Sequence, residues 1–322
     1  MNTLTRQSLL DFSKKKSETL ILPRAKPSFW RSLLGTALAS LCFISATARA
    51  AQAGTLHNGW NYAIDSLSDG VTGGVIGTNG AFEFYGLALH ENRDRIFIAI
   101  NANLPLTGYD APDVTNGSIA YGDLFFNFSG HSFPIASQNS ELFAIRFAGV
   151  NDAGVKDMGV YRHVSAKNVT QINSGFSNLQ EYSDYVRLYG GIPSMADLAI
   201  DDPYFAQAGS WNILNDIASG DWVGDITFLN HTELSLLGLD FGYFNPTGSQ
   251  TIGFSFDKGL LPSGDFIAHL LAECANDGMA LQGQLAQPLV DDVKTVPEPS
   301  GMMGMILFGL GLVASQWLKV ES

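Results

Sequence analysis

The sequence predicts an all-β fold, an antiparallel β-sandwich of jelly-roll type with one or two short helices. Three observations point there. Apolar residues recur at alternate positions from Trp60 onward, the segments between them carry Gly, Asn and Pro, and helical periodicity is confined to short stretches.

In chain order, Leu87 and Leu89 share a strand face, Glu91-Asn-Arg-Asp94 reads as a turn, and Ile96, Ile98 and Ile100 share the next face. Leu124, Phe126 and Phe128 alternate, as do Phe143, Ile145 and Phe147. A later pair reads as Leu239, Phe241 and Tyr243, a loop over 245–249, then Ile252, Phe254 and Phe256. Such alternation expects one face of each sheet buried and the other wet. Ser177-Asn-Leu-Gln180 has capping-box spacing, with Leu179, Tyr182 and Val186 forming a stripe ahead of Gly190-Gly191. Residues 232–238 hold one or two helical turns ended by glycine. The Gly-rich stretch 70–77 reads as loop, because no helix pattern follows that would cradle a phosphate. A single domain over 54–282 and a polar stalk over 283–296 complete the middle.

Charge divides the 322 residues into parts with different fates. Formal net charge is −13, yet residues 1–53 carry +6 (8 basic, 2 acidic) and residues 54–300 carry −19 (9 basic, 28 acidic). An acidic domain repels a phosphate backbone, so nucleic acid is not an expected partner. The basic start, the apolar run over 32–48 and the small-residue patterns Ala48-Arg-Ala50 and Ala51-Gln-Ala53 follow the order of a secretory signal peptide. Cleavage is expected after Ala50 or Ala53.

The other end reads Val296-Pro-Glu-Pro-Ser300 and then an uncharged span over 301–318, with Trp317 near its end and Lys319 just beyond. That length crosses most of a ~30 Å hydrocarbon core. Together with the leader, this tail resembles the PEP-CTERM sorting signal. The resemblance implies that an exosortase recognises Pro297, Glu298 and Pro299 and removes the span after transient membrane anchoring. Signal peptidase and exosortase are then the partners during export, and the destination is the cell envelope, surface or extracellular polysaccharide. PEP-CTERM tails usually end in several Arg or Lys, whereas Lys319 is followed here by Val320, Glu321 and Ser322. The segment from the Phe-Ser-Phe strand at 254–256 through Leu261-Pro-Ser-Gly-Asp265 to His269, Glu273, Cys274, Asn276 and Asp277 also resembles cyanobacterial exosortase-dependent surface proteins.

Sites are weighed against plain structural roles. Once the leader with Cys42 is removed, Cys274 is the remaining cysteine, so no intramolecular disulfide forms. On a strand, Cys274 shares a face with Phe266, Ala268, Leu270 and Ala272, while His269 and Glu273 face the other way, about 13 Å apart and too far for one ion. A buried structural thiol is expected. Calcium is the ion that many carboxylates suggest, at Asp110, Asp113 and Asn116, at Asp221 and Asp225, or at the pairs Asp201-Asp202 and Asp291-Asp292. None has the alternating ligands of an EF-hand, and solvated turn carboxylates are the expected reading, with no cofactor. Trp60, Trp211 and Trp222 are candidates for stacking on sugars, with core or strand-end packing the expected role. The sequons at Asn116, Asn127, Asn168 and Asn230 are expected to be coincidental. No nucleophile elbow, zincin helix or P-loop is present, and no motif isolates a glycosidase carboxylate pair. The expected function is non-enzymatic surface display, followed by a carbohydrate- or calcium-binding lectin-like sandwich and then by a secreted hydrolase.

Overall fold

A computed structural model of the chain describes residues 54–287, apart from 207, 208, 210, 211 and 245. The signal-peptide residues Ala48, Ala50, Ala51 and Ala53, Trp211, the pair Asp291-Asp292, the sorting residues Pro297, Glu298 and Pro299 and the 301–318 span lie outside the described residues. Among the described residues, no helix is long and apolar enough to cross a membrane.

The chain builds two six-stranded antiparallel sheets in four instalments. It lays down β1 (Thr55–His57), β2 (Trp60–Ile64), a small hairpin of β3 (Val71–Thr72) and β4 (Val75–Ile76), then β5 (Phe84–Glu91) and β6 (Arg95–Ala102). After a second small hairpin, β7 (Tyr109–Asp110) and β8 (Ser118–Ile119), come β9 (Leu124–Asn127), α1 (Phe133–Gln138), β10 (Leu142–Arg146), β11 (Gly159–Lys167), α2 (Leu179–Leu188) and β12 (Asp216–Gly224). The last instalments are β13 (Thr227–Leu229), α3 (His231–Leu236) and β14 (Gln250–Asp257), then β15 (Gly264–Leu271) and β16 (Gly278–Leu285). The first sheet has the order β1-β2-β5-β6-β14-β13 and the second β12-β11-β10-β9-β15-β16. Strands β9–β12 therefore run across one sheet as a meander, where a jelly roll passes most consecutive strands between its two sheets.

The alternating triplets meet as their spacing requires. Ile100, Ile98 and Ile96 pair with Ile252, Phe254 and Phe256 across β6 and β14. Leu87 and Leu89 pair with Ile100 and Ile98 from the other side. All these side chains enter one core with Leu124, Phe126, Ile145, Phe266, Ala268 and Leu270 of the second sheet. This inter-sheet layer is the main apolar store of the fold.

Several expectations change. The stretch 70–77 expected as loop forms the β3–β4 hairpin, Val71 pairing with Ile76. The outer faces are not wet: Trp60, Tyr62, Ala88, Phe97 and Ala99 of the first sheet pack under Leu234 and Phe241. Phe125, Tyr161 and Val164 of the second pack under Phe133, Leu179, Tyr204 and Phe205. The strand expected over 239–243 is instead a 3-10 turn at Phe241–Tyr243 following α3, and its apolar residues serve that outer layer. Strand β16 runs to Leu285, past the expected boundary at 282, because Gly283 and Gln284 pair with Phe266 and Asp265. Three short α-helices are present among the described residues. In α2 the cap is Asn178 rather than Ser177: its side chain accepts from Glu181 N, and Leu179, Tyr182 and Val186 are the buried stripe.

Candidate functional site

The six residues 272–277 that join β15 to β16 reach two buried groups of carboxylates. Glu273 enters one group and Asp277 the other. The turn is pressed against the segment before α2. Phe176 N donates to Cys274 O at 3.0 Å, and a Cβ on Gly175 would come within 2.0 Å of that oxygen, so only glycine fits there.

The first group comprises Asp65, just after β2; Asp69, in the following loop; Glu83, just before β5; and Asp277. All four are buried, and each uses one oxygen to accept from a backbone amide. Asp65 Oδ1 takes Ala196 N at 3.2 Å and Asp69 Oδ2 takes Ser194 N at 2.7 Å. Glu83 Oε2 takes Gly70 N at 2.7 Å and Asp277 Oδ2 takes Phe84 N at 2.7 Å. Gly70 is needed for this approach, since a Cβ there would lie 2.4 Å from Glu83 Cα. Asp277 Oδ1 also accepts from Tyr182 Oη at 3.2 Å and Gly278 N at 2.8 Å. The second oxygens of Asp65, Asp69 and Glu83 are buried without a hydrogen-bond partner. One oxygen from each of Asp65, Asp69 and Asp277 lies within 4.8 Å of the others. Burial, reinforced by the neighbouring carboxylates, pushes Asp65 and Asp277 well above the usual carboxylate range. Burial likewise raises Asp69 to about 7 and Glu83 to about 8.

The second group is Asp123, Asp152, Asp216 and Glu273, and here the chain supplies its own positive charge. Buried Arg146 donates to Asn151 Oδ1 at 2.9 Å, and Asn151 Nδ2 donates to Asp123 Oδ1 at 2.9 Å. Asp123 Oδ2 accepts from Ile217 N, Glu273 Oε2 from Ala120 N at 2.7 Å and Asp152 Oδ2 from Asn173 Nδ2 at 2.9 Å. Burial raises Asp123 to about 6 against the pull of Arg146 and Lys167, and raises Glu273 to about 7. Asp216 is the exception: both its oxygens lack partners, and burial with Asp123 and Glu273 nearby raises it well above the usual range.

Residues singled out in the sequence are dispersed. Phe266, Ala268, Leu270, Ala272 and Cys274 do line the inter-sheet core, and burial pushes the thiol up. His269 faces the outer layer, enclosed by Phe125, Phe133, Tyr204 and Phe205, with Nδ1 bonded to Tyr204 Oη at 2.9 Å. Burial holds it neutral, lowering it to about 3. Asp110, Asp113, Asn116, Asp201, Asp221 and Asp225 are exposed, and Asp202 is half-buried. Asp221 pairs with His163 at 2.9 Å and Asp202 caps Tyr204 N. Trp60 is fully buried and donates to Leu237 O, while Trp222 is half exposed on β12, so these two do not form one platform. The four sequon asparagines hold local structure: Asn127 is buried and caps Ser129, and Asn230 caps α3. Asn116 accepts from Ser118 N, and Asn168 donates to Thr170 Oγ1. Glu273 and Asp277 stood out in the sequence, but Asp65, Asp69, Glu83, Asp123, Asp152 and Asp216, which converge on them, did not. Their common signal is an acidic residue at the rim of an apolar strand, as in Phe82-Glu-Phe-Tyr85 and Tyr121-Gly-Asp-Leu-Phe125.

A separate groove of about 1280 Å³ opens at the other end of the β15–β16 hairpin. Asn61, Asn127, Phe128, Asp265, Gln282 and Gln284 are among its lining residues. Asn61 Nδ2 donates to Gln282 O across the sheets at 2.9 Å, and Gln284 Nε2 to Asp265 at 2.7 Å.

Fold and sites together define an antiparallel β-sandwich with two carboxylate groups at one hairpin turn and an amide-lined groove at the other end. No family model, curated protein or solved structure matches the chain.

Proposed function

We propose that the chain is an exported, exosortase-sorted surface protein without enzymatic activity. In this reading a signal peptide ends at Ala50 or Ala53, the sandwich is the displayed domain, and the PEP-CTERM tail anchors it until exosortase acts at Pro297-Glu298-Pro299. The observation that carries the reading is the combination of that tripeptide, its uncharged span and the basic leader around one acidic domain. The interior chemistry supports a displayed rather than a catalytic domain. The Cys274 thiol is held protonated by burial and His269 is neutral inside an aromatic cage, so neither is poised for nucleophilic or base work. Intact mass of cell-associated or secreted protein tests it: loss of everything from about Gly301 is expected. A full-length tail in mature material overturns the sorting step.

The groove favours a second reading, binding of extracellular polysaccharide. Amide side chains beside Phe128 are the residue types that hydrogen-bond and stack on sugars. Calorimetric titration or a glycan array tests it, with heat or capture lost on Asn61→Ala and Gln284→Ala. No response to any glycan leaves display as the function.

A further inference from the structure

Three buried carboxylate oxygens in the first group, on Asp65, Asp69 and Glu83, have no donor, and buried acceptors left unpaired are costly. The donors that reach these residues and Asp277 are backbone amides and the Tyr182 hydroxyl, and among the described residues no Lys or Arg forms an ion pair with any of the four. Among the described residues no ion pair supplies the missing positive charge. The four residues also share a design: one oxygen of each is fixed by a backbone amide, which orients the carboxylate as outer-shell partners orient metal ligands.

We propose that Asp65, Asp69 and Asp277 form a calcium site, with the Glu83 carboxylate beside it, that ties the β15–β16 turn to the loop after β2. The donors are oxygen alone, with no His or Cys, which selects a hard cation over zinc. Two oxygens on one calcium are at most about 5 Å apart, twice the Ca–O distance, and Asp65, Asp69 and Asp277 meet that limit at 4.8 Å. Magnesium demands near-ideal octahedral geometry and dehydrates reluctantly, which suits a closed carboxylate pocket poorly. The site comes from both sheets: Asp65 and Glu83 flank strands of the first, and Asp277 belongs to the hairpin of the second. A bound ion would cross-link them under Tyr182 of α2. The site stands independently of the export route.

The test is calcium titration of the full-length chain, purified in detergent and freed of metal with a chelator, at neutral pH. Isothermal calorimetry should give one equivalent, with terbium competing for it and magnesium failing to. Asp69→Asn and Glu83→Gln should each weaken calcium more than about tenfold, because affinity follows ligand charge. No binding by the folded, metal-free protein overturns the proposal, as does unchanged affinity in both variants. Should the variants not fold, anomalous scattering from calcium-grown crystals decides: a peak between Asp65, Asp69 and Asp277 supports the site, and its absence there overturns it.

Discussion

The two carboxylate groups sit at the two ends of one short turn, Glu273 in one and Asp277 in the other, and they solve the same problem differently. In the group at Glu273 the chain brings Arg146 and Lys167 near Asp123 and amide donors to the rest, so that Asp123, Asp152 and Glu273 are all hydrogen-bonded and Asp123 is partly charge-compensated. Around Asp277 the donors are backbone amides and Tyr182, and three oxygens are left over. Burying carboxylates is costly in either place. In the group at Glu273 the carboxylate oxygens left over are confined to Asp216; in the group at Asp277 they are spread over Asp65, Asp69 and Glu83, and that group calls for a proton or an ion from outside.

The largest effect is expected from breaking the group around Asp123, which holds a buried cation. Arg146→Met removes the cation and leaves Asn151 and the Gly149 and Lys156 carbonyls short of donors. Denaturant unfolding should show a loss of about 3–5 kcal/mol, the range for stripping one partner from a buried charge network. Chelation should act on the other group. Calcium at about a hundred times its Kd contributes about 2.7 kcal/mol. For a domain of this size that is a fall of roughly 5–10 °C in Tm on chelation.

Smaller effects sharpen the contrast. Asp216→Asn replaces a carboxylate with two unpartnered oxygens and should raise stability by about 1 kcal/mol, with the calcium response intact. Asp69→Asn should be equally tolerated without metal but should cut the calcium response to about half or less. Cys274, buried in the turn between the groups, should be alkylated faster in chelator than in calcium. The rate should change by about tenfold for each ~1.4 kcal/mol by which the turn loosens.

Much of the sandwich was legible because its period is local. Ile96, Ile98 and Ile100 declare a strand face, and the same arithmetic placed Cys274 with Phe266, Ala268 and Leu270 and put His269 opposite. The covered outer faces were not legible, since Leu234 and Phe241 come from helical turns far along the chain from Trp60 and Tyr62. Leu239, Phe241 and Tyr243 imitated a strand for that reason: Leu239 and Phe241 serve packing, not pairing, and Tyr243 is exposed. The carboxylate groups were hidden by distance in sequence. Asp65 and Asp277 become neighbours through the closure of β2 and β5 against β16, and nothing around either residue alone announces the other. The segments that looked like calcium loops, at Asp110 and Asp221, are exposed strand residues of β7 and β12.

The most direct test of this contrast is thermal unfolding from pH 4 to 8, with calcium and with chelator. Raised carboxyls favour the protonated folded state, so their stability is present below the ordinary carboxylate range. It is lost as pH rises through about 7 for Asp69 and about 8 for Glu83. Asp123 and Glu273 tilt both curves alike, and His269 tilts both the other way, losing stability as pH falls below about 6.5. The difference between the curves therefore isolates the group at Asp277. The curves should coincide near pH 4 and separate steadily toward pH 8, with calcium the more stable; superimposable curves throughout would rule out an ion at Asp65, Asp69 and Asp277.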